Sequence, residues 1–244
     1  MPVDAKPLQM VRLSMDLPAM LRHTGLPPTH GALDLGYLVH WHLVSAFGEC
    51  APRPFALRGE LGRQVRVFGY GNTDAERLLA LARESDAKEL IDLRAIETRA
   101  MPGAWRVGAR FGFEVRICPI VRRSNDGPGH RRGSEVDAFL AACEASAGKP
   151  VDRIAVYRDW LAAQFQRSGG SCLLSFESGA FRRSQLHRRT QGDNRRARSL
   201  ERPDFVARGT LSITDAVAFD ALVRRGVGRH RAFGFGMLLL RRAE

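Results

Sequence analysis

The chain has 244 residues, 44% of them hydrophobic and 26% charged, so it can bury one large core or two small ones. Its 38 lysines and arginines outnumber 26 acidic residues, and the formal net charge of +12 favours a polyanionic partner, nucleic acid ahead of a membrane surface. The sequence has no apolar run long enough to span a bilayer and no secretory leader pattern, so it reads as a cytoplasmic protein without membrane association. Arginine supplies 35 of the cations and lysine three. The planar guanidinium suits bidentate phosphate contacts and stacking on bases. Cys50, Cys118, Cys143 and Cys172 are scattered and form no CxxC pair, which supports neither a zinc site nor a disulfide framework. They read as small buried residues, and no metal or other cofactor is expected.

In chain order, residues 9–17 read as a strand, residues 18–31 as a Pro/Gly-rich connector, and residues 33–47 as an apolar helix. Residues 55–59 and 64–68 read as a hairpin, Thr73-Asp-Ala-Glu76 as a capping box opening a second helix, and residues 90–98 as another strand. The order βαββαβ is that of a ferredoxin-like or RRM-type unit. The second half repeats it, with a strand over residues 105–121, a helix over 151–166, strands over 171–177 and around Leu186, a strand over 205–213, a helix over 214–225 capped by Thr214 or Ser212, and a terminal strand in the apolar run Met237-Leu-Leu-Leu240. Between its first strand and helix, residues 122–135 read as a mobile insertion and residues 136–147 as a short extra helix. The expected fold is α+β, two tandem ferredoxin-like domains: residues 1–100 carry the helix with the candidate catalytic residues, and residues 101–244 carry a basic hairpin and a glycine-rich loop.

That loop, Gly226 to Gly236, interleaves glycines with Arg229, His230 and Arg231, a pattern suited to close approach of an anionic ligand. It is not a nucleotide P-loop, because a short apolar strand follows it in place of Lys-Ser/Thr and a helix. The segment 181–202 holds eight arginines against Asp193 and Glu201, divided by the tip Gln191-Gly-Asp-Asn194 into two basic arms. Either an arginine-lined hairpin or a solvated loop fits it, and a basic arm that folds on RNA satisfies both. In the first helix Tyr37 and His40, three residues apart, share a face near its N-terminal half, while His42 lies on another. His40 reads either as a site residue or as a packed histidine, and periodicity does not separate the two.

Three stretches carry a family resemblance: Thr210-Leu-Ser-Ile-Thr-Asp-Ala216, Leu222-Val-Arg-Arg-Gly-Val-Gly228 with Gly234-Phe-Gly-Met-Leu238, and Tyr37-Leu-Val-His-Trp-His-Leu-Val-Ser-Ala-Phe-Gly48. Together they resemble the Cas6-type CRISPR repeat endoribonucleases, closest to the CasE (Cse3) group of type I-E systems. The resemblance implies a protein that binds the repeat hairpin of precursor CRISPR RNA, cuts at its 3′ base without a metal, and stays on the product beside the other subunits of a Cascade-type complex. It places the catalytic histidine on His40 and the assisting tyrosine on Tyr37. It assigns RNA binding to Arg182, Arg183, His187, Arg188, Arg189, Arg195, Arg196 and Arg198 in the basic hairpin, and to Gly228, Arg229, His230, Arg231, Gly234 and Gly236 in the glycine-rich loop. Two departures stand out: residues 18–34 are long for the family's first linker, and Trp41-His42 is unusual after the histidine, so the register leaves His42 in contention with His40. Two other readings compete: a non-cleaving RNA-binding subunit of the same fold, and a basic DNA-binding protein.

Overall fold

The computed structural model describes residues 7–24, 34–58, 63–127, 131–189 and 197–242, with the backbone alone described for 187–189 and 197–199. Strand β1, Gln9–Asp16, alternates as period-2 patterning demands: Val11, Leu13 and Met15 are buried while Arg12 is exposed. Strands β2 (Phe55–Arg58), β3 (Gln64–Gly71) and β4 (Glu97–Ala100) complete an antiparallel sheet in the order β2-β3-β1-β4. This half also carries α1 (Leu17–Thr24), α2 (Leu35–Phe47) and α3 (Ala75–Glu84). Leu38, Val39, Leu43 and Phe47 of α2 and Leu78 and Ala82 of α3 share one core with the inward residues of β1.

The second half uses β5 (Arg110–Ile117), β8 (Ser171–Arg189), β9 (Ala197–Ile213) and β10 (Leu239–Arg242) in the order β10-β5-β9-β8. Helices α5 (Arg153–Ser168) and α6 (Ala216–Arg225) pack Tyr157, Leu161, Phe165, Phe219, Leu222 and Val223 against Phe113, Val115, Ile117, Phe205, Ala207 and Leu211 of this sheet. Counted within each half, both sheets have strand order 4-1-3-2, and the chain is two ferredoxin-like folds in tandem. The halves share apolar surface. Leu8, Ala56 and Tyr70 of the first belong to the core of the second, and the Tyr70 hydroxyl donates to the Leu238 carbonyl at 2.8 Å.

Several local expectations are corrected. Residues 18–24 are helical within α1, whereas residues 25–33 of the expected connector lie outside the described residues. Asp74, one position past the expected Thr73, caps α3 by accepting from the Arg77 N–H at 2.9 Å, and Asp215 caps α6 by accepting from the Ala218 N–H at 2.8 Å. In both, a carboxylate takes the place of the expected hydroxyl cap. Residues 88–90 and 93–95 form two short 3-10 turns instead of a strand, the second started by Asp92 accepting from the Arg94 N–H, so the segment touches β1 by a single bridge at Ile91 and joins the sheet as a strand over Glu97–Ala100. The strand expected over 105–121 is broken at Cys118-Pro119. Beyond the break, β6 (Ile120–Arg122) pairs with β7 (Glu135–Asp137) in a separate ribbon, and α4 (Ala138–Ala145) follows. The described part of the expected mobile insertion is therefore tied down, by this ribbon, by the Gly133 N–H donating to the Arg123 carbonyl, and by a two-pronged Arg123–Glu144 ion pair. The two strands expected between 171 and 186 are one, because register shifts at Leu173/Ser175 and Ser178/Phe181 interrupt the alternation without ending the pairing.

Candidate active site

Helix α2 starts where Asp34 accepts from the Tyr37 N–H at 2.9 Å. That cap sets the helix phase and sends Tyr37 and His40 to the face that meets the glycine-rich loop. The contact point is Phe233, in the 3-10 turn Arg231–Phe233 of that loop. Its ring stacks on Tyr37 at 6.1 Å and takes the edge of His40 at 5.3 Å. Backbone meets backbone here, since a β-carbon on Gly36 would collide with the Phe233 carbonyl. The structure thus brings together the helix pair and the loop, two features far apart in sequence.

The loop is braced internally. The Val227 N–H donates to the Gly236 carbonyl at 2.8 Å, and the Gly236 N–H donates to the Arg116 carbonyl at 2.7 Å. Gly236 has φ +79°, and a β-carbon there would strike the Val227 carbonyl. At Gly228 and Gly234 the space a side chain would need is taken by Trp160 and by Phe55. The glycines therefore let the loop close on the protein, Arg229 is exposed, and the half-buried Arg231 donates to the Arg225 carbonyl at 3.0 Å. His230 adopts the left-handed conformation, φ 60°, with its side chain only 5% exposed and 3.3 Å from Glu135.

His40 is half-buried and opens on a cleft of about 520 Å³ that Glu49, Arg53, Tyr70 and Arg224 also line. Burial, and then the Arg53 guanidinium, hold its pKa below the ordinary histidine value, so the neutral imidazole predominates near pH 7. Arg53 is exposed, and among the described residues it has no carboxylate partner. Its backbone N–H donates to the Tyr70 carbonyl at 2.7 Å, which fixes the start of the side chain at the mouth of the cleft. His42 has the opposite environment. It is fully buried, its Nε2 lies 3.3 Å from the Met20 carbonyl, and burial pushes its pKa down to about 4. Of the two histidines, His40 is the one that faces the cleft.

The basic arm is the β8–β9 hairpin, paired from Ser171↔Ile213 out to Arg189↔Ala197. Its root is an ionic hub. Asp204, 2% exposed, receives two hydrogen bonds from Arg116 at 2.7 Å, one from Arg182 at 2.5 Å and one from Ser184 at 2.7 Å. Burial alone would raise its pKa, but these donors more than offset that and hold it below the usual carboxylate value. Arg116 also lies 4.2 Å over the Phe235 ring, joining the arm to the glycine-rich loop. Glu135 of the β6–β7 ribbon makes a second link, within 3.6 Å of Arg202, 3.3 Å of Arg229 and 3.3 Å of His230. Arg183 pairs with Glu201 at 3.5 Å. The side chains of His187, Arg188, Arg189 and Arg198, and the whole of Arg195 and Arg196, lie outside the described residues.

Arg53, Asp204 and Glu135 escaped sequence reasoning. Arg53 sits in Pro52-Arg53-Pro54 outside every expected element, and only the flanking prolines hinted at a fixed backbone. The two acids look like ordinary surface charges in a sequence dominated by cations.

Two packed ferredoxin-like folds with an arginine arm and a glycine-rich loop at the end of a histidine-bearing helix define an α+β architecture with a strongly basic face. The model of the family described as CRISPR associated protein matches residues 10–242, and the chain belongs to that family. No curated protein matches the chain. Among solved structures, Thermus thermophilus Cse3 bound to an RNA representing a pre-cleavage complex is similar, with a TM-score of 0.61, 18% identity and coverage of 96% of this chain and 99% of that one. Cas6e from Escherichia coli K-12 is similar with a TM-score of 0.58 at 16% identity, covering 97% of this chain and 100% of that one. A chain of a CRISPR RNA-guided surveillance complex is similar with a TM-score of 0.52 at 16% identity, covering 96% and 100%. At these identities the likeness establishes the fold.

Proposed function

We propose that this protein is a metal-independent endoribonuclease that binds the repeat hairpin of precursor CRISPR RNA, cuts it, and remains on the product as a subunit of a Cascade-type complex. The observation that carries this reading is that a mostly neutral His40 shares a cleft with Arg53, which has no carboxylate partner among the described residues, while Tyr37 and His40 both meet Phe233 of the arginine-bearing loop. Family membership supports the CRISPR context. The likeness to Cse3 held with a pre-cleavage RNA supports cleavage, and the likeness to a surveillance-complex chain supports assembly.

RNA carries its own nucleophile, so the protein must align the 2′-hydroxyl with the phosphorus, move protons and stabilise the phosphorane. Neutral His40 takes the proton of the 2′-hydroxyl as its oxygen bonds to phosphorus. Tyr37 orients the phosphate or sugar through its hydroxyl, and Arg53 offsets the charge that builds on the phosphorane oxygens. The bond from phosphorus to the 5′-oxygen breaks, that oxygen takes a proton from solvent water while His40 returns its own proton to solvent, and the products are a 2′,3′-cyclic phosphate and a 5′-hydroxyl. The arm, with Arg182, Arg183, His187, Arg188, Arg189, Arg195, Arg196 and Arg198, follows the deep groove of A-form RNA, whose walls are phosphate. Arg229 and Arg231 of the loop hold phosphates beside the cut.

The test is single-turnover cleavage of the repeat hairpin by wild type, His40→Ala and Arg53→Ala. His40→Ala is expected to lose about 10²–10⁴ in rate with hairpin affinity retained. Arg53→Ala is expected to lose about 10²-fold. Wild-type rates from His40→Ala would remove the histidine from the chemistry, and tight binding without cutting by wild type would make this an RNA-holding subunit.

A further inference from the structure

Beside the His40 cleft, and sharing Arg53 and Arg224 with it, lies a larger one of about 1130 Å³, whose walls come from α5, α6, β6 and the glycine-rich loop. Seven arginines line it against a single carboxylate, Glu135. Arg224 is paired with Asp220 and Arg229 with Glu135. The other five, Arg53, Arg122, Arg167, Arg225 and Arg231, have no carboxylate partner among the described residues. Their repulsion is felt locally, since burial and then Arg225, Arg53 and Arg229 hold the Arg231 pKa down. An uncompensated cluster of guanidinium groups costs the empty protein stability, and a chain of phosphates relieves it.

Three further observations narrow the ligand. Among the described side chains of the arm, those of residues 182–186 and 200–202, none lines this cleft, so its cations are a set separate from the described cations of the arm. Arg53 and Arg224 line both clefts, and Phe233 lines the larger one while touching His40, so the cationic track is continuous with the candidate cutting site. The cleft is walled by two helices, a ribbon and a loop. A groove of arginines with aromatic rings in its lining, here Trp160 and Phe233, is the chemistry that holds unpaired nucleic acid.

We infer that this cleft binds the unpaired RNA strand that continues from the base of the hairpin, guiding it across Arg53 to His40. The inference rests on the hairpin-cleaving reading given above. It turns the cleft into a source of binding energy that positions the scissile phosphate, and it makes Arg122, Arg167 and Arg225 flank-binding residues outside the catalytic group.

The experiment measures binding of hairpins carrying a 2′-deoxy block at the cut, with no flank, a 5′ flank or a 3′ flank, to wild type and to the Arg122→Ala/Arg167→Ala/Arg225→Ala protein. A flank on one side is expected to tighten wild-type binding about tenfold, and the triple variant is expected to lose that gain. Its salt slope on the flanked RNA should fall by about 2, at roughly 0.7 per lost single-strand phosphate contact. Binding of the bare hairpin should be unchanged, which also reports that the variant is folded. No gain from either flank in wild type, an equal gain in the variant, or an equal loss on bare and flanked hairpins would overturn the inference. Wild-type protein that ignores the hairpin yet holds the flank through these arginines would keep the cleft and sink the nuclease reading.

Discussion

His40 and His42 stand two positions apart in one helix and end in opposite environments. The helical turn of about 100° per residue sends His42 into the core beside Met20 and His23, while His40 faces Phe233 and the cleft. Both pKa values are lowered by burial, but the consequences differ. His42 has a folded value of about 4 against an unfolded value of 6.5, so the unfolded chain binds the extra proton between those limits. Stability is therefore full above about pH 6.5, falls as the pH drops toward 4, and levels below it; the difference is worth about 3 kcal/mol. Denaturant titrations across that range should show this loss in wild type, and His42→Leu should remove most of it. An unchanged pH dependence in His42→Leu would mean that another group carries the transition. At this scale the sequence offered the pair Tyr37/His40 by spacing. It could not decide between His40 and His42, because a helix with apolar residues on most faces does not announce which side meets the core.

Helix α2 and the glycine-rich loop show how an element's neighbours overrule its own preferences. By intrinsic propensity, Gly36→Ala should stabilise the helix by about 1 kcal/mol. The structure opposes this, since the new β-carbon would meet the Phe233 carbonyl, which can move only with the loop. Gly36→Ala is expected to lower the melting temperature and to cut the cleavage rate by at least about tenfold. A gain in stability with full activity would show that the loop is not held against the helix as described. The arm makes a second claim about an element. Replacing Arg188 and Arg189 together should raise the hairpin dissociation constant and flatten its salt dependence, by a slope of about 1 to 2 if both contact phosphate; an unchanged slope would remove them from the interface. Both halves were legible as βαββαβ, because hydrophobic alternation and helical spacing survive wherever one face is buried. The failures were local. The bulges of β8, the Asp92 turn and the Pro119 break each interrupt a period without ending the architecture.

For the whole molecule, the packing of the two halves makes the candidate site. Phe55 and Tyr70 of the first half meet Gly234 and Leu238 of the second, and Arg53 at the start of that contact reaches the cleft of His40. None of these pairings leaves a signal in local sequence pattern, since long-range contacts between ordinary residues have no period. The sequence did carry the net charge and its concentration in one segment. The structure adds that Asp204 and Glu135 organise those cations, Asp204 at the root of the arm and Glu135 between the ribbon and the loop.

The central claim is cutting by the RNA's own 2′-hydroxyl under control of His40. The most direct measurement is incubation of the protein, in EDTA, with labelled repeat hairpin beside the same hairpin bearing a 2′-deoxy at the cut position. Cleavage of the ribose substrate to a 2′,3′-cyclic phosphate, abolished by the 2′-deoxy and by His40→Ala, is the predicted result. Cleavage that needs an added divalent ion, or that persists on the 2′-deoxy substrate, would contradict the account.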